Sequence, residues 1–186
     1  MMEAHQWELP CGCIMNKSEV VNHLIDGKIV AIFQGKGEWG PRALGNRSIL
    51  FDPRNPDAKD IVNKVKKREW YRPFAGTILL EYANDYFHML TIKASPWRSF
   101  AVKAKEKAID EVPGIIHVDF TCRIQTVTRE QNKNYYELIE EFNKETGVPI
   151  LFNTSFNLAG EPLVETLEDA KGVVERSDID YLYIPA

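Results

Sequence analysis

The sequence is poor in cysteine and contains no long apolar run. Its three cysteines are an odd number, so they do not make a disulfide framework, and free thiols are expected. Cys11, Cys13 and His5 provide three candidate metal ligands, which is fewer than a closed zinc site uses, and we predict no metal there. No apolar segment approaches the roughly 20 residues that cross a bilayer. Residues 1–10 also lack a signal-peptide pattern, so we expect a cytoplasmic protein without membrane contact.

An excess of positive charge is also absent. The 27 Asp and Glu residues outnumber the 23 Lys and Arg residues, which gives a net charge of −4 and argues against a nucleic-acid partner. The sequence has no repeat, no low-complexity tract and no G-x-x-x-x-G-K-[ST] phosphate loop. A chain of 186 residues suits one domain. We assign residues 1–15 to an N-terminal arm or linker remnant and residues 16–186 to that domain.

One nucleotide-binding motif is present, but its context is wrong. Residues 35–40 satisfy G-x-G-x-x-G and follow a strand-like run at 28–33. Trp39 is bulky where the backbone should approach a pyrophosphate, and Pro41 follows the last glycine directly. About twenty residues further on, a proline-rich loop replaces the strand that should end in an acidic residue. We therefore reject a dinucleotide-binding fold.

Positive charge is concentrated locally, first in residues 40–48. This stretch, Gly-Pro-Arg-Ala-Leu-Gly-Asn-Arg-Ser, places Arg42, Asn46, Arg47 and Ser48 among glycines and a proline after a predicted strand. Arginine offers a planar fork of donors that matches phosphate oxygens, and glycines let backbone N–H groups approach an anion. We interpret the stretch as a phosphate-binding loop, and a turn with solvated arginines is an equally good alternative.

A second basic stretch lies at the end of a helix predicted to start at residues 55–57. Residues 64–68 contain four cations, including Lys66 and Arg68, and Arg72 follows between aromatic residues and a proline. This is more positive charge than a helix C-terminus needs for its dipole. A solvated lysine-rich face is the alternative, but the fixed setting expected for Arg72 favours anion binding.

Uncharged polar side chains follow a short strand predicted at 148–152. Within the next five positions stand Asn153, Thr154, Ser155 and Asn157. These groups can orient a phosphate, a ribose or a carbonyl without adding a titration, and an Asx or ST turn is the alternative.

Further candidates lie between residues 115 and 127. We predict two short strands, at 115–119 and 124–127, with Arg123 on the connection between them. His117 is a possible general base, although a hydrogen-bonded core histidine is the better explanation. Strands and helices alternate irregularly along the chain, which predicts an α/β fold: an open, twisted mixed sheet with flanking helices and a basic concave face.

Several motifs occur together in one order. They are Glu38-x-Gly40-Pro41-Arg42-Ala43-Leu44-Gly45-x-Arg47-Ser48, Lys66-x-Arg68-Glu69-x-x-Arg72-Pro73-Phe74-Ala75, His117-Val118-Asp119, Gln125-Thr126-Val127, Thr146-Gly147-Val148-Pro149, Asn153-Thr154-Ser155-Phe156-Asn157 and Gly160-Glu161-Pro162. The set closely resembles the C-terminal, YrdC-like domain of the O-carbamoyltransferases that act on nodulation factors, cephalosporins and aminoglycosides. The pair Lys66-x-Arg68 and Ser155-x-Asn157 also resembles the K-x-R and S-x-N signature of the YrdC threonylcarbamoyl-adenylate synthases.

The resemblance implies a YrdC-like fold and an activity. Carbamate released from carbamoyl phosphate attacks the α-phosphate of ATP, with Mg²⁺, and gives carbamoyl-adenylate and pyrophosphate. A separate N-terminal, metal-binding domain of the actin-like ATPase fold then transfers the carbamoyl group to a hydroxyl acceptor. This sequence does not contain that domain, so we expect a partner domain or chain. The alternative is a non-catalytic nucleotide- or RNA-binding module.

The resemblance also implies site residues. The catalytic set comprises Lys66, Arg68, Arg72, Ser155 and Asn157. The substrate- and nucleotide-binding set comprises Arg42, Asn46, Arg47, Ser48, Arg123, Gln125, Asn153 and Thr154, and no protein ligand to a metal is predicted. The sequence departs from the family pattern at three positions, where Lys36, Gly76 and Phe120 replace Arg, Pro and Gly. Phe120 is expected to narrow the pocket beside Arg123.

Overall fold

The computed structural model describes residues 15–38 and 42–185, and the sheet and helices below are those of this part of the chain. The strands are β1 (Val30–Phe33), β2 (Arg47–Phe51), β3 (Ala75–Leu79), β4 (Ala101–Lys103), β5 (Thr121–Val127), β6 (Ile150–Ser155) and β7 (Tyr181–Tyr183). The α-helices are α1 (Lys17–Ile25), α2 (Ala58–Val65), α3 (Ala83–Tyr86), α4 (Glu106–Glu111), α5 (Lys133–Thr146) and α6 (Leu167–Glu175). Short 3₁₀ helices span Leu80–Tyr82 and Pro113–Ile115.

The seven strands form one mixed sheet in the order β4-β5-β3-β6-β2-β1-β7. Strand β3 runs parallel to β5, and β1 runs parallel to β7, whereas the other neighbouring pairs are antiparallel. The predicted α/β class with an open mixed sheet is therefore confirmed. Strand β1 is followed by its antiparallel neighbour β2 rather than by a helix, which agrees with the rejection of a dinucleotide-binding fold.

Helix α5 is the longest helix, and its sequence explains its bounds. The Asn132 side chain accepts a hydrogen bond from the backbone N–H of Tyr135 and caps the first turn. Gly147 ends the helix at φ 76°, a left-handed conformation that glycine adopts at little cost. The apolar face consists of Tyr135, Leu138, Ile139 and Phe142, and all four are buried. This face packs on β3 and β6 in the centre of the sheet.

Helices α1 and α6 begin with capping boxes. In α1, Asn16 caps the backbone of Glu19 while the Glu19 carboxylate accepts from the Asn16 N–H, and Thr166 and Asp169 repeat the arrangement in α6. Helix α1 packs on α5, and α6 packs on β1 and β7. Val20, Val21 and Leu24 of α1 are buried, whereas Ile25 is exposed. None of the described helices is long and apolar enough to cross a membrane.

The strand predicted at 115–119 is wrong. A 3₁₀ helix ends at Ile115, and a turn follows in which the His117 carbonyl accepts from the N–H of Phe120. The Asp119 carboxylate accepts from both the N–H and the hydroxyl of Thr121, which closes the turn and starts β5. Arg123 consequently lies within β5 rather than on a connection.

Polar residues predicted in loops also extend the strands. Arg47 and Ser48 belong to β2, and Ser48 pairs with Ser155 at the end of β6. Strand β6 has β2 on one side and β3 on the other, so Asn153 and Thr154 stay extended in a double ladder of backbone hydrogen bonds. The backbone pairing therefore overrides the turn propensity of these side chains.

Some predictions fall outside the described residues. They include residues 1–14 of the predicted arm, with the candidate ligands His5, Cys11 and Cys13, and residues 39–41 of the predicted phosphate-binding loop. Met15, the last residue assigned to the arm, is buried and belongs to the main core cluster.

Two family departures have local consequences. A side-chain carbon on Gly76 would approach Cδ1, at the end of the Ile115 side chain, to 2.5 Å, so a larger residue there needs the Ile115 side chain to shift. Phe120 has φ 59° and a side chain that is 54% exposed. It does not line the cavity described below, so the expected narrowing of the pocket is not seen.

The left-handed backbone conformation of Phe120 should lower the stability of the fold. A residue with a Cβ is strained in the left-handed region by about 1–2 kcal/mol, and glycine removes that strain. We expect Phe120→Gly to raise the free energy of unfolding by about 1 kcal/mol, which corresponds to a Tm increase of roughly 2–4 °C for a chain of this length. Thermal melts followed by circular dichroism would measure it.

Val118→Gly is the matched control, since Val118 is exposed in the same turn and is not among the residues with positive φ. Glycine there should lower the Tm. An equal or lower Tm for Phe120→Gly would show that the left-handed conformation carries no strain.

Candidate anion-binding site

One end of the sheet opens into a cavity of about 750 Å³. Its floor includes Ala75, Arg123 and Asn153, which are paired across β5, β3 and β6 and therefore share one face of the sheet. The walls come from the segment before β2, the segment between α2 and β3, the residue Arg98 before β4, and the turn after β6. The motif residues thus meet where β3 and β5 begin and β6 ends.

The cavity lining is strongly basic. Seven of the lining residues are cations: Arg42, Lys66, Lys67, Arg68, Arg72, Arg98 and Arg123. Glu69 is the one carboxylate among the described lining residues, and it is paired with Arg72 at 2.7 Å. Because the whole chain carries a net charge of −4, this positive field is local to the cavity. The basic concave face predicted from the sequence is present.

Lys66 joins the two signature motifs. Its side chain is buried, and Nζ donates to the Ser155 carbonyl, to Ser155 Oγ at 3.2 Å, and to the carbonyl and Oδ1 of Asn157 at 2.8 and 2.9 Å. No carboxylate is among these partners. Burial, and then the positive charges of Arg68 and Arg98, lower the pKa of Lys66 to about 7. One ammonium group therefore holds the S-x-N turn in place.

The turn after β6 is further ordered by its own side chains. Ser155 Oγ donates to Asn157 Oδ1 at 2.7 Å, and Asn157 Nδ2 donates to the carbonyl of Glu161 at 2.7 Å. The backbone N–H of Ala159 donates to the Lys66 carbonyl at 2.9 Å. The backbone and side chain of Lys66 thus both contact this turn.

Arg68 is fixed against the cavity wall. Its Nε donates to Asn63 Oδ1 at 2.6 Å, and the guanidinium carbon lies 4.0 Å from the centre of the Phe74 ring. Burial, and then the charge of Arg72, lower the pKa of Arg68 to about 10, so the group remains charged near neutral pH. Its Nη2 has no hydrogen-bond partner within the described part of the chain. A positioned guanidinium with an unused donor suits an anionic ligand.

The segment from Arg68 to Arg72 depends on Asn63, which the sequence motifs do not mark. Asn63 Nδ2 donates to the carbonyls of Trp70 and Arg72 at 3.0 and 3.2 Å. The signal available in the sequence is a polar residue on the buried face of α2. Arg72 itself is more exposed than expected, because Trp70 and Tyr71 point to solvent and do not enclose it.

A carboxylate organises the segment that leads into β2. Glu38 accepts from three backbone N–H groups, those of Leu44, Asn46 and Arg47, at 2.8, 3.1 and 3.0 Å. Burial raises the pKa of Glu38, although these three donors act in the opposite direction. Gly45 has φ 113°, and a Cβ there would lie 2.2 Å from the Tyr135 ring, so this position requires glycine.

The same segment, residues 43–47, is held from its other side by side-chain donors. The carbonyls of three consecutive residues accept such donors: Leu44 from Gln125 at 2.9 Å, and Gly45 from Gln34 at 2.8 Å. The Ala43 carbonyl accepts from Arg98 and, at 3.4 Å, from Asn153 Nδ2. The segment is therefore docked through most of its backbone polar groups before any ligand binds.

Nine of the thirteen predicted site residues line the cavity, namely Lys66, Arg68, Arg72, Ser155, Asn157, Arg42, Arg123, Asn153 and Thr154. The other four, Asn46, Arg47, Ser48 and Gln125, lie outside the lining. Arg47 lies on the opposite face of the sheet from Ser48, packs over the Phe33 ring at 3.7 Å and donates to the Gln34 carbonyl at 2.6 Å.

The other three predicted residues outside the lining contact the 43–47 segment or belong to it. They are Asn46, Ser48 and Gln125. Ser48 Oγ accepts from the N–H of Gly45 at 3.0 Å, and Gln125 donates to Leu44 as described. Asn46 Oδ1 accepts from Asn132 Nδ2 at 2.9 Å. In the structure these side chains support the segment from which Arg42 extends.

His117 lines the cavity, but both of its ring nitrogens have partners. Nε2 lies 2.9 Å from the Phe74 carbonyl, and Nδ1 lies 3.2 Å from Thr121 Oγ1. The ring ties the start of β5 to the residue before β3. These contacts favour the interpretation of His117 as a hydrogen-bonded structural residue rather than a general base.

Arg98 is a lining residue that no sequence motif marks. It is 6% exposed, donates to the carbonyls of Ala43 and Asn153, and lies between Trp97 and Phe100, which are both exposed. An arginine in a turn rich in serine and proline has the pattern of a solvated loop charge, so the sequence offers no signal for its burial.

Within residues 15–38 and 42–185, no group of three or more His, Cys, Asp or Glu side chains is placed to hold a metal ion.

Comparison with known proteins identifies the family. A profile described as carbamoyltransferase C-terminus matches residues 21–186. Nodulation protein NolNO of Sinorhizobium fredii is 45% identical over 169 residues, which are 90% of this chain and 25% of that protein. Nodulation protein NolO of Bradyrhizobium diazoefficiens is 43% identical over 169 residues, 90% of this chain and 31% of that protein. The chain thus spans about a quarter to a third of the length of these relatives.

Solved structures share the fold. Full-length HypF in a phosphate- and nucleotide-bound form superposes with a TM-score of 0.62 at 21% identity, covering 91% of this chain and 24% of HypF. E. coli YciO gives a TM-score of 0.60 at 14% identity, covering 90% of this chain and 76% of YciO. The profile match and the nodulation relatives confirm the resemblance that the motifs indicated: the chain belongs to the carbamoyltransferase C-terminus family.

Proposed function

We propose that this chain forms carbamoyl-adenylate from ATP and carbamoyl phosphate. The observation that carries the proposal is the meeting of the K-x-R and S-x-N motifs in a cavity lined by seven cations and one carboxylate. Similarity to HypF, which has been solved with phosphate and nucleotide bound, supports nucleotide use. The chain covers only part of its relatives, so the substrates are proposed from this site and from the family.

The lining residues fit a triphosphate. Arg68 and Arg72 line the cavity and would contact its phosphate oxygens. Ser155 and Asn157 would orient nucleotide or carbamoyl oxygens through neutral hydrogen bonds. Arg42 and Arg123 complete the basic wall. Mg²⁺ fits as a companion of the nucleotide, because it retains several waters and binds through phosphate oxygens with few protein carboxylates. When bound, it would neutralise phosphate charge.

The reaction requires positioning and charge neutralisation rather than a protein nucleophile. Water first cleaves carbamoyl phosphate to carbamate and inorganic phosphate. A carbamate oxygen then forms a bond to the α-phosphorus of ATP, and the bond from that phosphorus to the bridging oxygen breaks, releasing pyrophosphate. The negative charge that develops on pyrophosphate is stabilised by fixed cations such as Arg68. Carbamate is a poor electrophile, and AMP supplies the leaving group for the later transfer.

In this scheme, transfer to a hydroxyl acceptor is the task of a separate domain of the actin-like ATPase fold, on the same polypeptide or on a partner. The cavity described here supplies the activated group only. The acceptor is therefore recognised elsewhere.

The first experiment measures pyrophosphate release from Mg·ATP by the purified chain, with and without carbamoyl phosphate. We expect release only when carbamoyl phosphate is present, because carbamate is the attacking group. ATP binding measured by calorimetry serves as the parallel readout. Binding without release under all conditions would instead favour the non-catalytic nucleotide-binding module.

Arg68→Met tests the phosphate contacts. A hydrogen bond to a charged group contributes roughly 1.5–3 kcal/mol, so its loss should weaken Mg·ATP binding or turnover about 10- to 150-fold. Lys64→Met is the matched control, since Lys64 is an exposed cation of the same basic stretch that does not line the cavity. Equal effects of the two substitutions would exclude a specific role for Arg68.

The titration of Lys66 should make the affinity for Mg·ATP depend on pH. Its pKa is about 7 in the free protein, where Arg68 and Arg98 are the charged groups that face it and its direct partners are neutral. A bound triphosphate raises that pKa, so above pH 7 the complex holds more protons than the free protein. Affinity should then fall as pH rises above about 7, by up to roughly tenfold per pH unit. Below pH 7 Lys66 is protonated in both states and contributes no slope.

Calorimetry at pH 8 in Hepes and in Tris would measure this proton uptake, because the two buffers differ in ionisation enthalpy. Lys66→Met should show no uptake. Identical binding enthalpies in both buffers for the unmodified chain would contradict the expected titration of Lys66.

A further inference from the structure

Arg98 is the cavity cation with the least evident reason to be buried. It lies in the segment before β4 with φ 54°, a left-handed conformation that is unfavourable for arginine. Its neighbours Trp97 and Phe100 are 55% and 46% exposed, whereas Arg98 is 6% exposed. The backbone therefore turns a charged side chain inward and leaves two aromatic side chains in solvent, the reverse of what hydrophobicity favours.

The contacts of Arg98 show what it connects. One Nη donates to the carbonyl of Ala43, and the other lies 3.3 Å from the carbonyl of Asn153. Its Nε is buried and has no partner within the described residues. Burial lowers the pKa of Arg98 to about 10, so the guanidinium is charged at neutral pH. Arg98 thus joins the 43–47 segment to β6 and carries a buried charge at the cavity. The Glu38 carboxylate acts to raise the pKa of Arg98, but the effect of burial is larger.

Arg42 immediately precedes this contact. Its charge lies near those of Arg98 and Arg123, because Arg123 acts to lower the pKa of Arg42 and Arg42 acts to lower that of Arg98. Repulsion among like charges favours movement of Arg42 into solvent. Docking of the adjacent Ala43 carbonyl opposes that movement. A bound anion removes the repulsion.

The side-chain donors to the carbonyls of Ala43, Leu44 and Gly45 differ in charge. The next two carbonyls of the segment, those of Leu44 and Gly45, are docked by the neutral amides of Gln125 and Gln34. Docking alone is therefore achieved in this fold without a charge. The Ala43 carbonyl, beside the cavity, accepts from the Arg98 cation and, at the longer distance of 3.4 Å, from the neutral amide of Asn153. The Asn46 carbonyl also accepts from a cation, but that cation is the adjacent Arg47, which lies outside the cavity lining.

We propose that Arg98 is a positioning residue for the proposed reaction, which ties the Ala43 carbonyl to that of Asn153 and so holds Arg42 at the anion site. The inference rests on the proposed function for the identity of the ligand, a nucleoside triphosphate with Mg²⁺. The positioning itself concerns any phosphate-bearing ligand of the cavity.

The test compares Mg·ATP binding by calorimetry for the unmodified chain, Arg98→Met and Arg98→Lys. Arg98→Met removes the donors and the charge and should weaken binding roughly tenfold or more. Arg98→Lys keeps the charge but cannot reproduce the fork to two carbonyls, so binding should be weakened less. Arg129→Met is the control, since Arg129 pairs with Glu137 and Glu140 and does not line the cavity.

The pH profile separates this role from general damage. The charge of Arg98 contributes to the low pKa of Lys66. In Arg98→Met the pH at which affinity begins to fall should therefore move upward, whereas Arg98→Lys should retain the original midpoint. Weakened binding with an unchanged midpoint in both variants would overturn the proposal, as would unchanged affinity in either. Circular dichroism and thermal melts report folding, and Arg98→Lys decides the question if Arg98→Met does not fold.

A parallel series with inorganic pyrophosphate separates this inference from the proposed function. If the unmodified chain binds pyrophosphate but not Mg·ATP, the proposed function fails and the Arg98 series is read with pyrophosphate. If Mg·ATP binds and Arg98→Met binds it equally well, the proposed function stands and the positioning role is excluded.

Discussion

The structure depends on the burial of the Lys66 ammonium group against the turn after β6. The lysine and the Ser155–Asn157 pair are some 90 residues apart in the sequence, and one side chain brings them into contact. The carbonyl of Lys66 also accepts from Ala159, so the contact does not rest on a flexible side chain alone. The end of α2, which leads into the basic segment, and the end of β6 are thereby fixed at the same wall of the cavity.

The arrangement has an electrostatic cost. Burying cations without carboxylate partners is unfavourable, and the lowered pKa values of Lys66, Arg68 and Arg98 express that cost. A salt bridge at each position would relieve it, but carboxylates would compete with an anionic ligand for the same donors. The exposed pair of Arg72 and Glu69, at the mouth of the cavity, is the compromise that the structure shows among the described lining residues.

Much of the fold could be predicted from local sequence signals. For helix α5 the apolar periodicity and the terminal glycine indicate the same element, and the structure adds the Asn132 cap. The strand predicted at 115–119 is wrong because so short a run, with three apolar residues, does not distinguish a strand from a 3₁₀ helix and a turn. The Asp119 side chain, through its bonds to Thr121, decided the outcome.

The sequence predicted some of the cavity residues and missed others, and the reason is geometric. Residue type indicates which side chains can bind phosphate, but the tertiary packing determines which of them line the cavity. Arg47 and Ser48 are neighbours in β2, so they face opposite sides of the sheet, and Arg47 packs on Phe33. The burial of Arg98 depends on a carbonyl of the 43–47 segment, 55 residues away, which local sequence does not reveal.

The residues that hold the 43–47 segment change how the predicted phosphate-binding loop is understood. An isolated loop rich in arginine and glycine would lose conformational entropy on binding a phosphate, and that loss would weaken the affinity. Here Glu38 holds backbone N–H groups of the 43–47 segment, and side-chain donors that include Arg98, Gln125 and Gln34 hold its carbonyls. Most of the ordering is thus complete in the free protein. The polar residues that follow Arg42 matter because they fix the backbone next to it in the free protein. Such ordering is what the proposed stabilisation of a developing charge requires.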